Sequence, residues 1–117
     1  MNRDVRRYIN AVKDERRLLF DKLHALILGM YPTAETAISY GIVKYRIAPG
    51  RVWLGYWKRG VSLHTGYPAL IAQFRATHPA IKTGKGGVNL SVTDRIPARA
   101  IQQLIRRVVN SAKKPVA

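Results

Sequence analysis

The residues Arg51-Val-Trp-Leu-Gly-Tyr-Trp-Lys-Arg59 alternate with the period of two that a β-strand imposes, and they sort into two unlike faces. Val52, Leu54 and Tyr56 fall on one side. Arg51, Trp53, Gly55, Trp57 and Arg59 fall on the other. The first side is ordinary core. The second sets two indoles among guanidinium groups, in a chain whose formal net charge is +15. Such a surface suits an anionic, flat or polymeric partner.

The neighbouring segments obey the same parity. If Ala48 pairs with Arg51 across a Pro49-Gly50 turn, Ile47 faces Val52, Tyr45 faces Leu54 and Val43 faces Tyr56. The opposite face then collects Lys44, Arg46, Arg51, Trp53, Trp57 and Arg59. A slip by an even number of residues leaves this sorting intact, and Pro-Gly is not the favoured two-residue hairpin turn, so parity is firmer than register. Val61 and Leu63 separate from Ser62 and His64 in the same way, and Val88, Leu90 and Val92 from Asn89 and Ser91.

The helices frame these strands. Asp4 to Ala11 and Asp14 to Met30 read as helices, the second with Leu19, Leu23, Leu26, Ile27 and Met30 at helical spacing and Tyr31-Pro32 at its end. Ile38 to Gly41 leads into a strand over Ile42 to Ile47, and Val61 to Thr65 follows Gly60. Pro68 opens a helix to Thr77. A loop, Ile81 to Gly87, precedes the strand Val88 to Val92. Pro97 opens a last helix striped by Ile101, Leu104, Ile105 and Val108, and residues 110 to 117 are expected to form a flexible tail. The expected architecture is a single α+β domain: an antiparallel β-sheet with helices packed on one face and a basic, aromatic surface on the other.

At 117 residues the chain is long enough for a core without metal or disulfide support. It has no cysteine, which removes thiolate ligands and thiol nucleophiles and fits a reducing cytoplasm. Charge appears early in Met-Asn-Arg-Asp-Val-Arg-Arg, unlike a secretory signal, and no run approaches the ~18 apolar residues of a membrane span. Lys and Arg number 21 against 6 Asp and Glu, an excess that favours anionic partners.

Each candidate site has a plain structural alternative. Trp53 and Trp57 form a ligand platform, or they are covered by a loop, by the helix after Tyr67 or by a second subunit. Gly55 between them would leave a shallow slot for a ring, and a glycine there also commonly marks a bulge. The loop Lys82-Thr83-Gly84-Lys85-Gly86-Gly87 can turn backbone N–H groups and two lysines toward an anion, yet it lacks the Walker A pattern and precedes a strand. Its alternative is a mobile hairpin-like connection. Ser62 and His64 share a strand face but stand about 7 Å apart, too far for a nucleophile–base contact, and no acid lies near to orient the imidazole. His24, His64 and His78 have no metal-ligand spacing, and His24 reads as a packed residue with one hydrogen bond. Tyr40 and Gly41 read as structural, a wall residue and a bend. Arg99, Arg106, Arg107 and Lys113-Lys114 read as a solvated helix face.

Ile38-Ser-Tyr-Gly41 after two helices, the hairpin Tyr56-Trp57-Lys58-Arg59-Gly60-Val61-Ser62-Leu63, and Lys82-Thr-Gly-Lys85-Gly86 before a strand and a Pro-initiated helix together resemble the YdhG-like family. The likeness covers roughly Val5 to Val109. It implies a two-layer α+β sandwich similar to frataxin, and one relative is regarded as an intracellular iron chaperone. Iron binding of the frataxin kind uses an acidic ridge on the first helix and strand. Here residues 1 to 31 mix Asp4, Asp14, Glu15 and Asp21 with Arg3, Arg6, Arg7, Lys13, Arg16, Arg17 and Lys22, which opposes a hard cation.

The sequence therefore points to a non-enzymatic binding module with no cofactor. Its expected ligand is a phosphate-bearing small molecule or nucleic acid, held by Lys44, Arg46, Arg51, Trp53, Trp57, Arg59, Lys82, Gly84, Lys85 and Gly86. The alternatives are the iron chaperone that the resemblance implies and a homodimer joined through the Trp53/Trp57 face.

Overall fold

The computed structural model describes residues 1–113. Helix α1 (Arg3–Ala11) is capped by Asn2, whose side-chain oxygen accepts from the Val5 N–H, and it buries Val5 and Ile9 one turn apart. Helix α2 (Asp14–Met30) buries Leu19, Phe20, Leu23 and Ile27. Six strands follow, interrupted by helix α3: β1 (Glu35–Ser39), β2 (Ile42–Ile47), β3 (Gly50–Trp57), β4 (Gly60–His64), α3 (Pro68–Thr77), β5 (Lys82–Thr83) and β6 (Gly87–Ser91). Helix α4 (Ala98–Lys113) closes the chain, burying Ile101, Leu104, Ile105, Val108 and Val109. The strands form one sheet in the order β1-β2-β3-β4-β6-β5 with every pairing antiparallel.

One face of the sheet contributes Val43, Tyr45, Ile47, Val52, Leu54, Val61, Leu63, Val88 and Leu90 to a core shared with all four helices. The α+β architecture and the face assignment therefore stand as the strand periodicity predicts, except that Tyr56, expected in the core, is 39% exposed near the end of β3, where the Arg16 guanidinium rather than the core lies over its ring. At the margin of that core the buried Tyr45 hydroxyl meets Nδ1 of the half-buried His24 at 2.6 Å, the single packed hydrogen bond expected of His24. Burial pushes the Tyr45 hydroxyl up and the His24 imidazole down from their ordinary values.

Three details differ from expectation. The β2–β3 register is Tyr45 with Val52 and Val43 with Leu54, shifted by two residues, with Ala48-Pro49 forming the loop in place of Pro49-Gly50. Gly50 is drawn into the strand because α4 crosses it: a Cβ there would lie 3.2 Å from the Val109 Cα. The same close approach seats Ala112, so α4 runs to Lys113 and residues 110–113 belong to the helix, while the rest of the expected tail lies outside the described residues. Second, β3 ends at Trp57, and Lys58-Arg59 is a two-residue hairpin loop. Third, the chain before Tyr40 forms an edge strand, β1, whose half-exposed residues carry no alternating apolar signal.

Candidate functional site

Cross-strand pairing carries side chains of one parity to the same side, so the open face can be followed row by row. One row runs Lys44, Trp53, His64, Gly87 across β2, β3, β4 and β6. The next runs Gly55, Ser62, Asn89, Lys82. Helix α3, which the sequence offers as a cover for the indoles, packs instead against α4, β5 and β6. Both tryptophans are half-buried, and both indole Nε1 atoms are buried without an acceptor among the described residues. An N–H in that condition costs on the order of 1–3 kcal/mol until an acceptor reaches it.

Two concavities meet at Trp53. One, of about 450 Å³, is lined by Lys44, Arg51 and Trp53 together with Ser39, Tyr40 and Tyr67. The other, of about 520 Å³, runs from Tyr40, Ile42 and Trp53 past His64 and Asn89 to Gly84, Lys85, Gly86 and Gly87. Tyr40, Trp53 and Gly66 line both and form the ridge between them.

The Lys82–Gly87 segment proves to be a hairpin between β5 and β6, closed by the Gly84 N–H on the Gly87 carbonyl at 2.9 Å. Its tip is tied down as well. The Gly86 carbonyl accepts from the Thr65 N–H at 2.8 Å and from Thr65 Oγ1 at 3.1 Å. The N–H groups of Lys85 and Gly86 donate to no backbone carbonyl among the described residues. The glycines thus fix a short, anchored connection that borders the larger concavity.

Not every predicted residue joins this site. Lys44, Arg51, Trp53, Gly84, Lys85 and Gly86 line the two concavities. Trp57 stands apart with the Lys82 ammonium 5.8 Å from its ring centroid. Arg46 turns to the sheet edge, 3.7 Å from the Glu35 carboxylate, and lines a separate hollow with Tyr31 and Lys113. Arg59 lies in the β3–β4 loop, off the strand, because the hairpin turns before the alternation ends. The slot expected over Gly55 is filled by Ile42: a Cβ on Gly55 would come within 2.8 Å of Ile42 Cγ2.

Other candidates resolve into structure. Ser62 is 7% exposed and its hydroxyl donates to Asn89 Oδ1 at 2.8 Å, so it points away from any His64 contact. Burial lowers the His64 imidazole from its ordinary value. Among the described residues no three His, Asp or Glu side chains cluster as metal ligands. Asp14 and Asp21 are engaged by Arg16 and Arg17, at 3.3 and 3.0 Å. The Arg16 backbone N–H, then its guanidinium, holds the Asp14 carboxyl below the usual carboxylate range.

Sequence reasoning missed Tyr40. It does not pack as a wall residue: it is 90% exposed, at the tip of the β1–β2 hairpin, with φ of 54° followed by Gly41 at 74°. Two successive left-handed residues make the two-residue turn that normally selects Asn-Gly. The signal available was the Tyr-Gly pair between short extended runs.

No family model matches the chain, and no curated protein matches it. A solved structure does: the crystal structure of YdhG from Bacillus subtilis, a protein of the DUF1801 family, with a TM-score of 0.80 over 96% of this chain and 94% of that one, at 13% identity. The two structures share a fold, as the resemblance to the YdhG-like family implies. Over 96% of its length, this chain has the YdhG fold.

Proposed function

We propose that the open sheet face is a non-catalytic binding surface for a phosphate-bearing ligand, either a small molecule or single-stranded nucleic acid. The observation that carries this reading is a mismatch of donors and acceptors. Lys44, Arg51 and Lys85 line the two concavities around Trp53 and, among the described residues, no carboxylate lines either, while Glu35, in the same cross-strand row as Arg46 and Arg51, lies against Arg46. A surface rich in cations and indole, with its acceptors elsewhere, is complementary to phosphate oxygens beside a flat ring. Among the described residues no helix is long and apolar enough to cross a membrane. Of the four N-terminal carboxylates on which the iron reading would draw, Asp14 and Asp21 lie against arginines, and among the described residues no three His, Asp or Glu side chains gather as ligands.

Tryptophan fluorescence titrated with a mixed-sequence single-stranded oligonucleotide tests the proposal. Affinity should fall with salt at a log–log slope of about −0.7 per phosphate neutralised, and Lys44→Ala or Arg51→Ala should each flatten that slope by about 0.7. Trp53→Ala should cost ~1–3 kcal/mol. No response at ~50 mM salt from oligonucleotide or tripolyphosphate would overturn it. A buried-indole emission that turns exposed on dilution, with a matching halving of mass, would instead make this face the homodimer contact.

A further inference from the structure

The ridge between the two concavities is made of two aromatic rings held in different ways. Trp53 lies on the central strand β3, with Lys44 and His64 as its cross-strand neighbours, and is half-buried. It is a fixed floor. Tyr40 is the opposite case, 90% exposed on a two-residue turn whose left-handed backbone suits Asn and disfavours a bulky side chain. Its ring buries almost nothing that would repay that conformation. Strain at an exposed aromatic is an outlier that asks for a role outside the fold.

The geometry points to that role: Tyr40 and Trp53 form a clamp for one nucleobase, whose attached phosphate rests between Lys44 and Arg51. The proposal rests on the anion-binding reading above and names its ligand. The ring centroids of Tyr40 and Trp53 are 6.4 Å apart with planes tilted by 58°. A planar ring between two others needs roughly 3.5 Å on each side, about 7 Å in all, so a small swing of the exposed phenol admits a base against the indole. Lys44 is the residue paired directly with Trp53, and Arg51 lies two positions along the same strand and face, about 7 Å away. That is within one nucleotide's reach. On the far side of the clamp Asn89 lines the second concavity, and with its amide oxygen engaged by Ser62 its NH₂ is the group left to donate to a ring acceptor. The same chemistry has two sources, a free nucleotide or one unit of a single strand. In a strand, the next phosphate would lie toward Lys85 and the N–H groups of Lys85 and Gly86, which donate to no backbone carbonyl among the described residues.

The test compares adenosine 5′-monophosphate with ribose 5-phosphate, which keeps the phosphate and lacks the base. The two tryptophan indole N–H resonances are followed by ¹⁵N NMR in the whole chain. The nucleotide should bind ~5- to 150-fold more tightly than ribose 5-phosphate and should move the Trp53 resonance more than that of Trp57. Tyr40→Asn, which suits the turn better than tyrosine, should remove most of that advantage and leave ribose 5-phosphate binding unchanged. Tyr40→Phe should retain it. A single-stranded oligonucleotide that binds more tightly than the nucleotide, and is weakened by Lys85→Ala when the nucleotide is not, supports the clamp and identifies a strand as its source. Equal affinity of oligonucleotide and nucleotide supports the clamp with the free nucleotide as source. If ribose 5-phosphate and the nucleotide bind equally in wild type and Tyr40→Asn, the clamp is wrong while the anionic face stands. If neither they nor the oligonucleotide bind, both fail.

Discussion

Gly60 opens β4 where the β3–β4 hairpin, which carries Trp57, meets β6, and its substitution by alanine gives a demanding check on the packing described above. A Cβ built on Gly60 would sit 1.8 Å from the Leu90 carbonyl oxygen and 2.9 Å from the Ser91 Cα, both backbone atoms. Neither can swing aside as a side-chain tip would. Restoring an ordinary contact of ~3.5 Å means parting β4 from β6 by roughly 1.5 Å at the Gly60–Ser91 pair. That motion also strains the Val92 N–H bond to the Arg59 carbonyl, 2.8 Å long. Overpacking of this kind costs ~1–3 kcal/mol, and losing one ladder hydrogen bond adds ~1 kcal/mol, so Gly60→Ala should destabilise by ~2–4 kcal/mol. For a domain of this size the Tm should drop by roughly 8–16 °C. Thermal unfolding followed by circular dichroism measures it, with Gly84→Ala as the control: a Cβ at Gly84 meets nothing within 4 Å, and that variant should stay within ~0.5 kcal/mol of wild type. A Gly60→Ala Tm within about 3 °C of wild type would refute the close approach of β4 and β6.

Tyr40→Asn should raise stability by ~0.5–1 kcal/mol, since the left-handed conformation at φ of 54° penalises tyrosine more than asparagine and the exposed ring buries little; a lowered urea midpoint would contradict this. Burial lowers the folded-state pKa of His24 beneath its ordinary 6.5, so the unfolded chain takes up the proton first. The stability contributed by neutral His24 is therefore complete above about pH 6.5 and is lost as pH falls through the folded pKa. Replacing His24 by Gln should flatten the Tm–pH profile on that acid side, and an unchanged profile would count against it. Tyr45→Phe removes the hydroxyl 2.6 Å from His24 Nδ1 and should cost about 1 kcal/mol in chemical denaturation. Lys82→Ala should increase acrylamide quenching of Trp57 in a Trp53→Phe background, because the ammonium lies 5.8 Å from that ring's centroid; equal quenching would place the lysine in free solvent.

Local periodicity determined a great deal here. A period of two is written into Val43 to Ile47, Val52 to Leu54, Val61 to His64 and Val88 to Ser91, and it assigned these residues to the core side or the opposite face whatever the register. Helical spacing likewise picked out Leu19, Leu23 and Ile27, and Ile101, Leu104, Ile105 and Val108, as buried stripes. Net charge fixed the sign of the surface. Tertiary structure alone decided adjacency. The register of β2 on β3 depends on α4 passing over Gly50, a contact made 59 residues along the chain, at Val109, that no window around the turn contains. Edge strand β1 was illegible because an edge exposes both of its faces in part and leaves no alternation to read. The same reason separates the cations. Lys44, Arg46, Arg51 and Arg59 look equivalent in sequence, yet pairing with Glu35 takes Arg46 to the sheet edge and the hairpin loop takes Arg59 off the strand. Ile42 lies over Gly55 because the β2–β3 register sets the start of β2 beside it, and the two-residue turn before β2 brings Tyr40 to Trp53. Pattern within a segment is set by backbone geometry, which repeats. Proximity between segments is set by how the whole core closes, which does not.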